Sequence, residues 1–430
     1  MPPSAASQEK RNIVIVGGGI IGSTTAYFLT RHPFYNPSLH SIHLIEAASV
    51  ASGASGKAGG LLALWAYPSS IVPLSFRLHE ELAKEHGGEK RWGYRGVSCG
   101  QLDIKGRRLG DATAGGKGNP PAVNPVHDEA KERISLKKRS NDSYQAHQAA
   151  GVPEDLDWLV DSNIQSYDSM GTPENTAQVH PYQFTTSMAQ LAQEKGAEII
   201  LGSVKSINYK DNDNAVESIT YMAKNTNTPT TVPTTDIILT LGPWTQSLLP
   251  HAPISALRAH SITIRPSRPC SAYAIFTSIT LPPQFRPGAK NKRPQHVSPE
   301  IYARPNNELY ACGEGDTLVP LPPTSAEVAV DESRCQDIAD YCSAISDELR
   351  DGEILTRQAC YLPQVESRAG SGPLMGKTSI KGLFLAAGHT CWGIQNGPGT
   401  GKLMSEFVFD GEAGSARVEG AGLDPRNYGL

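Results

Sequence analysis

The chain has 430 residues, room for two or three compact units at roughly 100–200 residues each. Its 41 glycines and 32 prolines against a hydrophobic fraction of 39% point to a turn-rich α/β protein and exclude a coiled coil or helical repeat array. With 39 Lys and Arg against 43 Asp and Glu the net charge is −4, which offers nothing to nucleic acid or an anionic membrane, and no apolar run approaches the ~18 residues of a membrane span. The seven cysteines are dispersed with no CxxC pair, which reads as a reduced chain without a metal centre. Met1 to Arg11 is polar and lacks the apolar stretch of a secretory signal, so the expectation is a cytoplasmic protein with a small-molecule partner.

In chain order, the β-branched run Asn12–Val16 predicts a strand. Gly17-Gly18-Gly19-Ile20-Ile21-Gly22 predicts a tight turn into a helix through Leu29, and Ile42–Glu46 a second strand ending in an acid, at the lengths of a βαβ unit. A small-residue loop follows from Ala51 to Gly60. Residues 105–150 carry Gly, Pro, Asn, Lys and Ser with hardly any apolar periodicity and read as a long exposed insertion. Phe184–Lys195 reads as a helix, Glu198–Leu201 as a strand, and Ile237–Leu241 as a buried strand stopping at Gly242-Pro243-Trp244. Ser261–Arg265, Ala272–Phe276 and Glu308–Cys312 alternate as strands of a separate antiparallel sheet, before one polar helix over Ser333–Arg350. The end returns to a strand (Leu383–Ala387), a glycine-rich loop (Gly388–Gly401) and a helix (Lys402–Phe409).

The glycine spacing has a physical reason. Gly17 lets the chain turn sharply, Gly19 lets backbone approach a pyrophosphate, and Gly22 lets the helix pack closely on its strand. The helix N-terminus, with Ile20 and Ile21, then turns unpaired N–H groups and a positive dipole end toward the phosphates. Glu46 ends the next strand, where an acid can accept both ribose hydroxyls, so the expected ligand is a dinucleotide.

With the small-residue loop, Val204, Gly242-Pro243-Trp244 and Gly388-His389 through Lys402 added in order, the sequence resembles the D-amino acid oxidase family of FAD-dependent oxidoreductases. That family includes glycine, sarcosine and fructosyl-amino acid oxidases, and the likeness is strongest to a fungal and plant branch with stretches like Ser-Gly-Lys-Ala-Gly-Gly. The resemblance implies an α/β fold in which a Rossmann-like FAD-binding domain is assembled from residues 1–104, 151–250 and 355–430. A β-rich α+β substrate domain would occupy 251–354, with 105–150 as the insertion.

The resemblance also implies roles. Ser52, Ser55, Gly56, Lys57, Gly60 and Leu61 would run close to the FAD, with Lys57 beside the isoalloxazine, where a cation favours electron transfer to O2. Val204 would offer its backbone to the adenine, and Gly242 and Trp244 would close the site. Gly388, Gly393, Ile394 and Gly397 would place N–H groups at the flavin N1–C2=O edge, where negative charge accumulates on reduction. Cys360 would attach the flavin 8α-methyl, the alternative being a buried structural cysteine. His389 and Trp392 would wall the substrate pocket, with His389 equally readable as structural. Tyr302 and Arg304 would lie over the flavin face, Arg304 holding a substrate carboxylate, with Arg258 and His260 competing for that role.

The activity implied is oxidation of a CH–NH bond of a small amine or amino acid by hydride transfer to flavin N5, with O2 as acceptor and H2O2 as product. Leu61 to Tyr67 replaces a pattern that in the resembled branch carries an acid before the tryptophan, which implies a different substrate. Two other readings stay open: a biosynthetic flavoprotein oxidising a larger secondary metabolite, and a flavin-binding protein with an interaction or trafficking role.

Overall fold

The computed structural model describes residues 9–110, 150–210, 214–366 and 372–430, so most of the insertion expected over 105–150 lies outside the described residues. In the first half of the chain the strands are β1 (Arg11–Val16), β2 (His40–Glu46), β3 (Leu61–Ala63), β4 (Arg95–Gly96), β5 (Ser98–Lys105), β6 (Ile164–Gly171), β7 (Thr176–Gln178), β8 (Ala197–Tyr209), β9 (Val216–Ala223) and β10 (Pro229–Pro233). In the second half they are β11 (Asp236–Leu239), β12 (Ile254–Arg265), β13 (Tyr273–Leu281), β14 (Gln295–Val297), β15 (Glu300–Arg304), β16 (Glu308–Cys312), β17 (Glu353–Val365), β18 (Leu374–Lys377) and β19 (Leu383–Ala387).

Five strands pair in parallel in the order β8-β2-β1-β11-β19, and β9-β10 and β18 extend this sheet at its two edges as antiparallel additions. Both faces are covered, which is why Ile13 to Val16 and Ile237 to Leu239 are apolar without alternation. Ile13, Ile15 and Leu44 pack under the helices Ile20–Leu29, Pro181–Gln193 and Gly393–Phe409, while Val14, Val16 and Ile45 pack on the other side with Ile219, Leu239 and Leu383. This is the expected α/β, Rossmann-like half.

The last helix begins at Gly393, not Lys402, so most of the expected glycine loop is helical. Its glycines serve close packing: a Cβ on Gly397 would lie 2.6 Å from Ile20 Cγ1, and one on Gly401 2.5 Å from the carbonyl carbon of Thr24. Pro398 inside this helix removes the N–H that Ile394 would normally receive, and the helix Val72–His86, unread in the sequence, fills the gap. His79 Nε2 donates to the Ile394 carbonyl at 2.9 Å. Ser75 Oγ donates to the Gln395 carbonyl at 2.7 Å and accepts from the Gly399 N–H at 2.9 Å.

The second sheet runs β17-β12-β16-β15-β13-β5-β6, with β14 on β13. It is mixed rather than wholly antiparallel, because β5 pairs in parallel with β13. Strands β5, β6 and most of β17 come from outside residues 251–354, so the sheets do not divide at 104, 250 and 355. The expected helix over Ser333–Arg350 is two, Glu332–Ile345 and Asp347–Arg350. Buried Ser346 breaks it, accepting from the Leu349 N–H at 3.2 Å and donating to the Trp158 carbonyl at 2.6 Å. A three-stranded sheet, β3-β7-β4, completes the described strands.

Candidate functional site

The carboxyl ends of the five parallel strands open onto one cleft, lined by Val16, Glu46, Gly202 to Val204, Thr240 and Ala387. In open α/β sheets this is where ligands bind. Its empty volume, counting the mouth open to solvent, is 1240 Å³.

The glycine turn forms one wall. Gly17 has φ +109°, and a Cβ on it would lie 2.6 Å from the Thr240 carbonyl oxygen, while one on Gly22 would lie 2.0 Å from the Gly17 carbonyl oxygen. Gly19 differs: its Cβ would meet only Ser55 Oγ, at 3.1 Å, so this residue faces open space. The N–H groups of Gly19 and Ile21 donate to no described residue, and that of Ile20 donates to Ser55 Oγ at 2.9 Å. Glu46 is held in the cleft by the N–H groups of Gly18, at 2.7 Å to Oε2, and Ala48, at 2.8 Å to Oε1. Each oxygen keeps a lone pair for a ligand hydroxyl. A cradle with N–H donors at a helix start and a fixed acid at the neighbouring strand end fits a dinucleotide.

Ser52, Ser55, Val204, Gly242, Trp244, Gly388, His389, Gly393 and Ile394 line the same cleft as Gly17, Gly19, Ile20, Ile21 and Glu46. Val204 sits where the pairing of β8 with β9 shifts register. Residues absent from the sequence reading close the far side: Pro323, Thr324 and Ser325 cross the cleft, tied down by Ser52 Oγ to Ser325 Oγ at 2.6 Å and by Trp244 Nε1 to the Pro322 carbonyl at 2.6 Å. No local pattern marks this strap, because it is fixed by residues 78 and 273 positions away.

Gly22, Gly56, Lys57, Gly60, Leu61, Gly397 and Cys360 stand behind the lining. Gly56 and Gly60 are steric requirements of the loop: added Cβ atoms would lie 2.1 Å from the carbonyl oxygens of Ala51 and Val179 respectively. Leu61 is buried. Lys57 Nζ donates to the Ala359 carbonyl at 2.9 Å, and burial pulls its ammonium below the usual lysine range. Burial pushes the neighbouring Cys360 thiol up to about 11, against the opposing pull of Lys57. Cys360 alternates along β17 with Leu362, a lining residue, and so shares its strand face. His389 is buried with Nε2 3.0 Å from Thr400 Oγ1, and burial depresses it to about 3, so it is neutral.

Trp392 is not among the residues lining this cleft and packs in an apolar cluster with Leu61, Tyr302 and Tyr310. The two arginines expected near a substrate carboxylate are both engaged. Arg258 is buried and paired with Asp316 at 3.2 Å. Arg304 pairs with Glu308 at 2.8 Å, donates to the carbonyls of Ala58 and Gly59, and lies with Cζ 4.8 Å from the centre of the Tyr310 ring. It braces the loop before Gly60. Tyr302 donates through its hydroxyl to Glu300, a residue the sequence reading passed over because an acid at a strand start carries no local signal.

Residues 12–407 match the family described as FAD dependent oxidoreductase (DAO). The chain is 37% identical to "Putative oxidoreductase TDA3" of Saccharomyces cerevisiae, covering 99% of this chain and 96% of that protein. It is 35% identical to "Putative oxidoreductase C1F5.03c" of Schizosaccharomyces pombe, covering 95% and 97%. Among solved structures, a glycine oxidase from Geobacillus kaustophilus superposes with TM-score 0.65 at 18% identity, covering 97% of this chain and 99% of that one. Iminodiacetate oxidase from Chelativorans sp. BNC1 does so with TM-score 0.63 at 17% identity, covering 95% and 97%. With its glycine turn, acid and closing helix gathered on one cleft, the chain belongs to the FAD-dependent oxidoreductase (DAO) family.

Proposed function

We propose that this protein oxidises a CH–NH bond of a small amine or amino acid, with O2 as the acceptor and H2O2 as the product. The observation that carries this reading is the single cleft joining the glycine turn to the start of the helix Gly393–Phe409, in a fold shared with glycine oxidase and iminodiacetate oxidase. FAD, when bound, supplies the two-electron chemistry. The chain's own residues bind and orient. The N–H groups of Gly19 and Ile21 would take the pyrophosphate, Glu46 the ribose hydroxyls and Val204 the adenine. Gly393 and Ile394, at the positive end of a 17-residue helix, would hold the pyrimidine edge of the ring and favour negative charge there. Lys57, pulled out of water beside β17, holds positive charge near the ring for O2.

The test is the absorbance spectrum of the purified protein with a peroxide assay on amines and amino acids. A flavin spectrum and peroxide release are expected, and a protein that neither carries nor takes up FAD would sink the reading. Acid precipitation decides the Cys360 linkage: with the thiol kept protonated by burial, flavin is expected in the supernatant. Colour held in the pellet, and lost in Cys360→Ala, would assign a covalent bond.

A further inference from the structure

Beside the dinucleotide cleft, one face of the second sheet carries Phe276, Glu300, Tyr302, Tyr310 and Cys312. The register sets Glu300 opposite both Phe276 on β13 and Cys312 on β16. Residues opposite each other across an antiparallel pair share a face. Rings continue from this face to the surface. Tyr302 lies 6.0 Å from Phe276, Phe276 6.1 Å from Trp65, Trp65 5.4 Å from Trp392, and Trp392 6.1 Å from Tyr67. Trp65, at 38%, and Tyr67, at 44%, are exposed, with Trp392 buried between them.

The acid on this face has no ion-pair partner among the described residues, and burial raises its carboxyl above the usual range, so an ammonium group brought beside it would favour the carboxylate. Glu300 Oε2 accepts from the Tyr302 hydroxyl and from Cys312 Sγ at 3.9 Å, and Oε1 accepts from no described residue. Among the described residues no Lys, Arg or His stands within ion-pair distance of it. Its other titratable neighbours are the thiols of Cys99 and Cys391. A carboxylate taken out of water needs a counter-charge, or it is costly. The two arginines of this sheet are ion-paired elsewhere, Arg304 with Glu308 and Arg258 with Asp316.

We propose that Glu300 and the rings of Trp65, Phe276, Tyr302 and Trp392 form a subsite for an ammonium cation, so that the substrate is a hydrophobic amine rather than an amino acid. This rests on the amine-oxidation reading and deepens it. The carboxylate supplies the counter-charge, and the aromatic faces attract a cation through their quadrupoles while covering its apolar substituents. No guanidinium is left free to grip a carboxylate.

The experiment titrates the FAD-bound protein with benzyltrimethylammonium, which has no N–H to oxidise, and with benzoate, a carboxylate of similar ring size, read by calorimetry and tryptophan fluorescence. The cation is expected to bind at least tenfold more tightly than benzoate. Glu300→Gln, which keeps a hydrogen-bond acceptor for Tyr302, is expected to weaken it tenfold or more with FAD content unchanged, and Trp65→Leu at the exposed end to weaken it severalfold. Tighter binding of benzoate, or cation binding indifferent to both substitutions, overturns the proposal. So does a holoenzyme that oxidises amino acids but not the corresponding amines without a carboxylate, a result that leaves the amine-oxidation reading standing. Cation binding that follows Glu300 in a protein that oxidises nothing supports the subsite and overturns the oxidase reading instead.

Discussion

His389 and His79 are both buried and both neutral, and each holds part of the last helix: His389 meets Thr400, and His79 meets the carbonyls of Ile394 and Gln395. Burial depresses His389 to about 3 and His79 to about 4, against an ordinary value of 6.5. Below about pH 6.5 the unfolded chain takes up protons that the folded chain refuses. Stability contributed by these sites is therefore complete above about pH 6.5 and is lost progressively as the pH falls toward 4. Denaturant unfolding between pH 7 and 4.5 is expected to show that decline, and His389→Gln to make it shallower. A variant with the same pH slope as the parent would contradict the assignment. At this scale the sequence was legible wherever one residue type has one physical use. Gly17 and Gly22 were readable because no side chain fits there. Arg258 and Arg304 were not, because an arginine looks the same whether its partner is a substrate or Asp316.

The last helix shows how elements depend on one another. Pro398 and the glycines around it look like loop in isolation, and only the helix Val72–His86, through Ser75 and His79, supplies the hydrogen bonds that keep the segment helical. Removing the Ser75 hydroxyl takes the acceptor from the buried Gly399 N–H and leaves the Gln395 carbonyl with His79 Nε2 alone, at 3.2 Å, at a cost of about 1–3 kcal/mol. Ser75→Ala is expected to lower the thermal midpoint by several degrees and to weaken FAD retention, because the strained stretch leads straight from Gly393 and Ile394. Thermal unfolding with and without added FAD checks both effects. Unchanged FAD retention would separate this helix repair from the cofactor site. Strands β1 and β11 were legible from their unbroken apolar runs and β2 from Ile42, Leu44 and Ile45 before an acid, whereas β5 and β17 were not, since their partners lie far along the chain in β13 and β12.

Across the whole molecule, the dinucleotide cleft belongs to the parallel sheet but is closed by the strap of residues 322–325, which follows β16 of the second sheet. Trp244 holds that strap by a single indole N–H. Trp244→Phe keeps the ring and removes the donor, so FAD is expected to dissociate several times faster with little change in thermal stability. Recovery of flavin fluorescence after dilution measures the rate, and an unchanged rate would mean that the strap does not hold the cofactor. Among the described residues no helix is long and apolar enough to cross a membrane.

The sequence by itself determined the strand-turn-helix-strand opening and the acid at Glu46, because these depend on spacings within a few tens of residues, and the resemblance of motifs spread from Gly17 to Lys402 implied the family and its FAD. Tertiary structure alone decided which charges are free. Lys57 finds its acceptor 302 residues away, Arg304 braces a loop 246 residues away, and Glu300 is left without a cation. The physical reason is that a side chain's charge is legible in sequence, but the opposite charge or acceptor it meets depends on which distant groups the fold brings within reach.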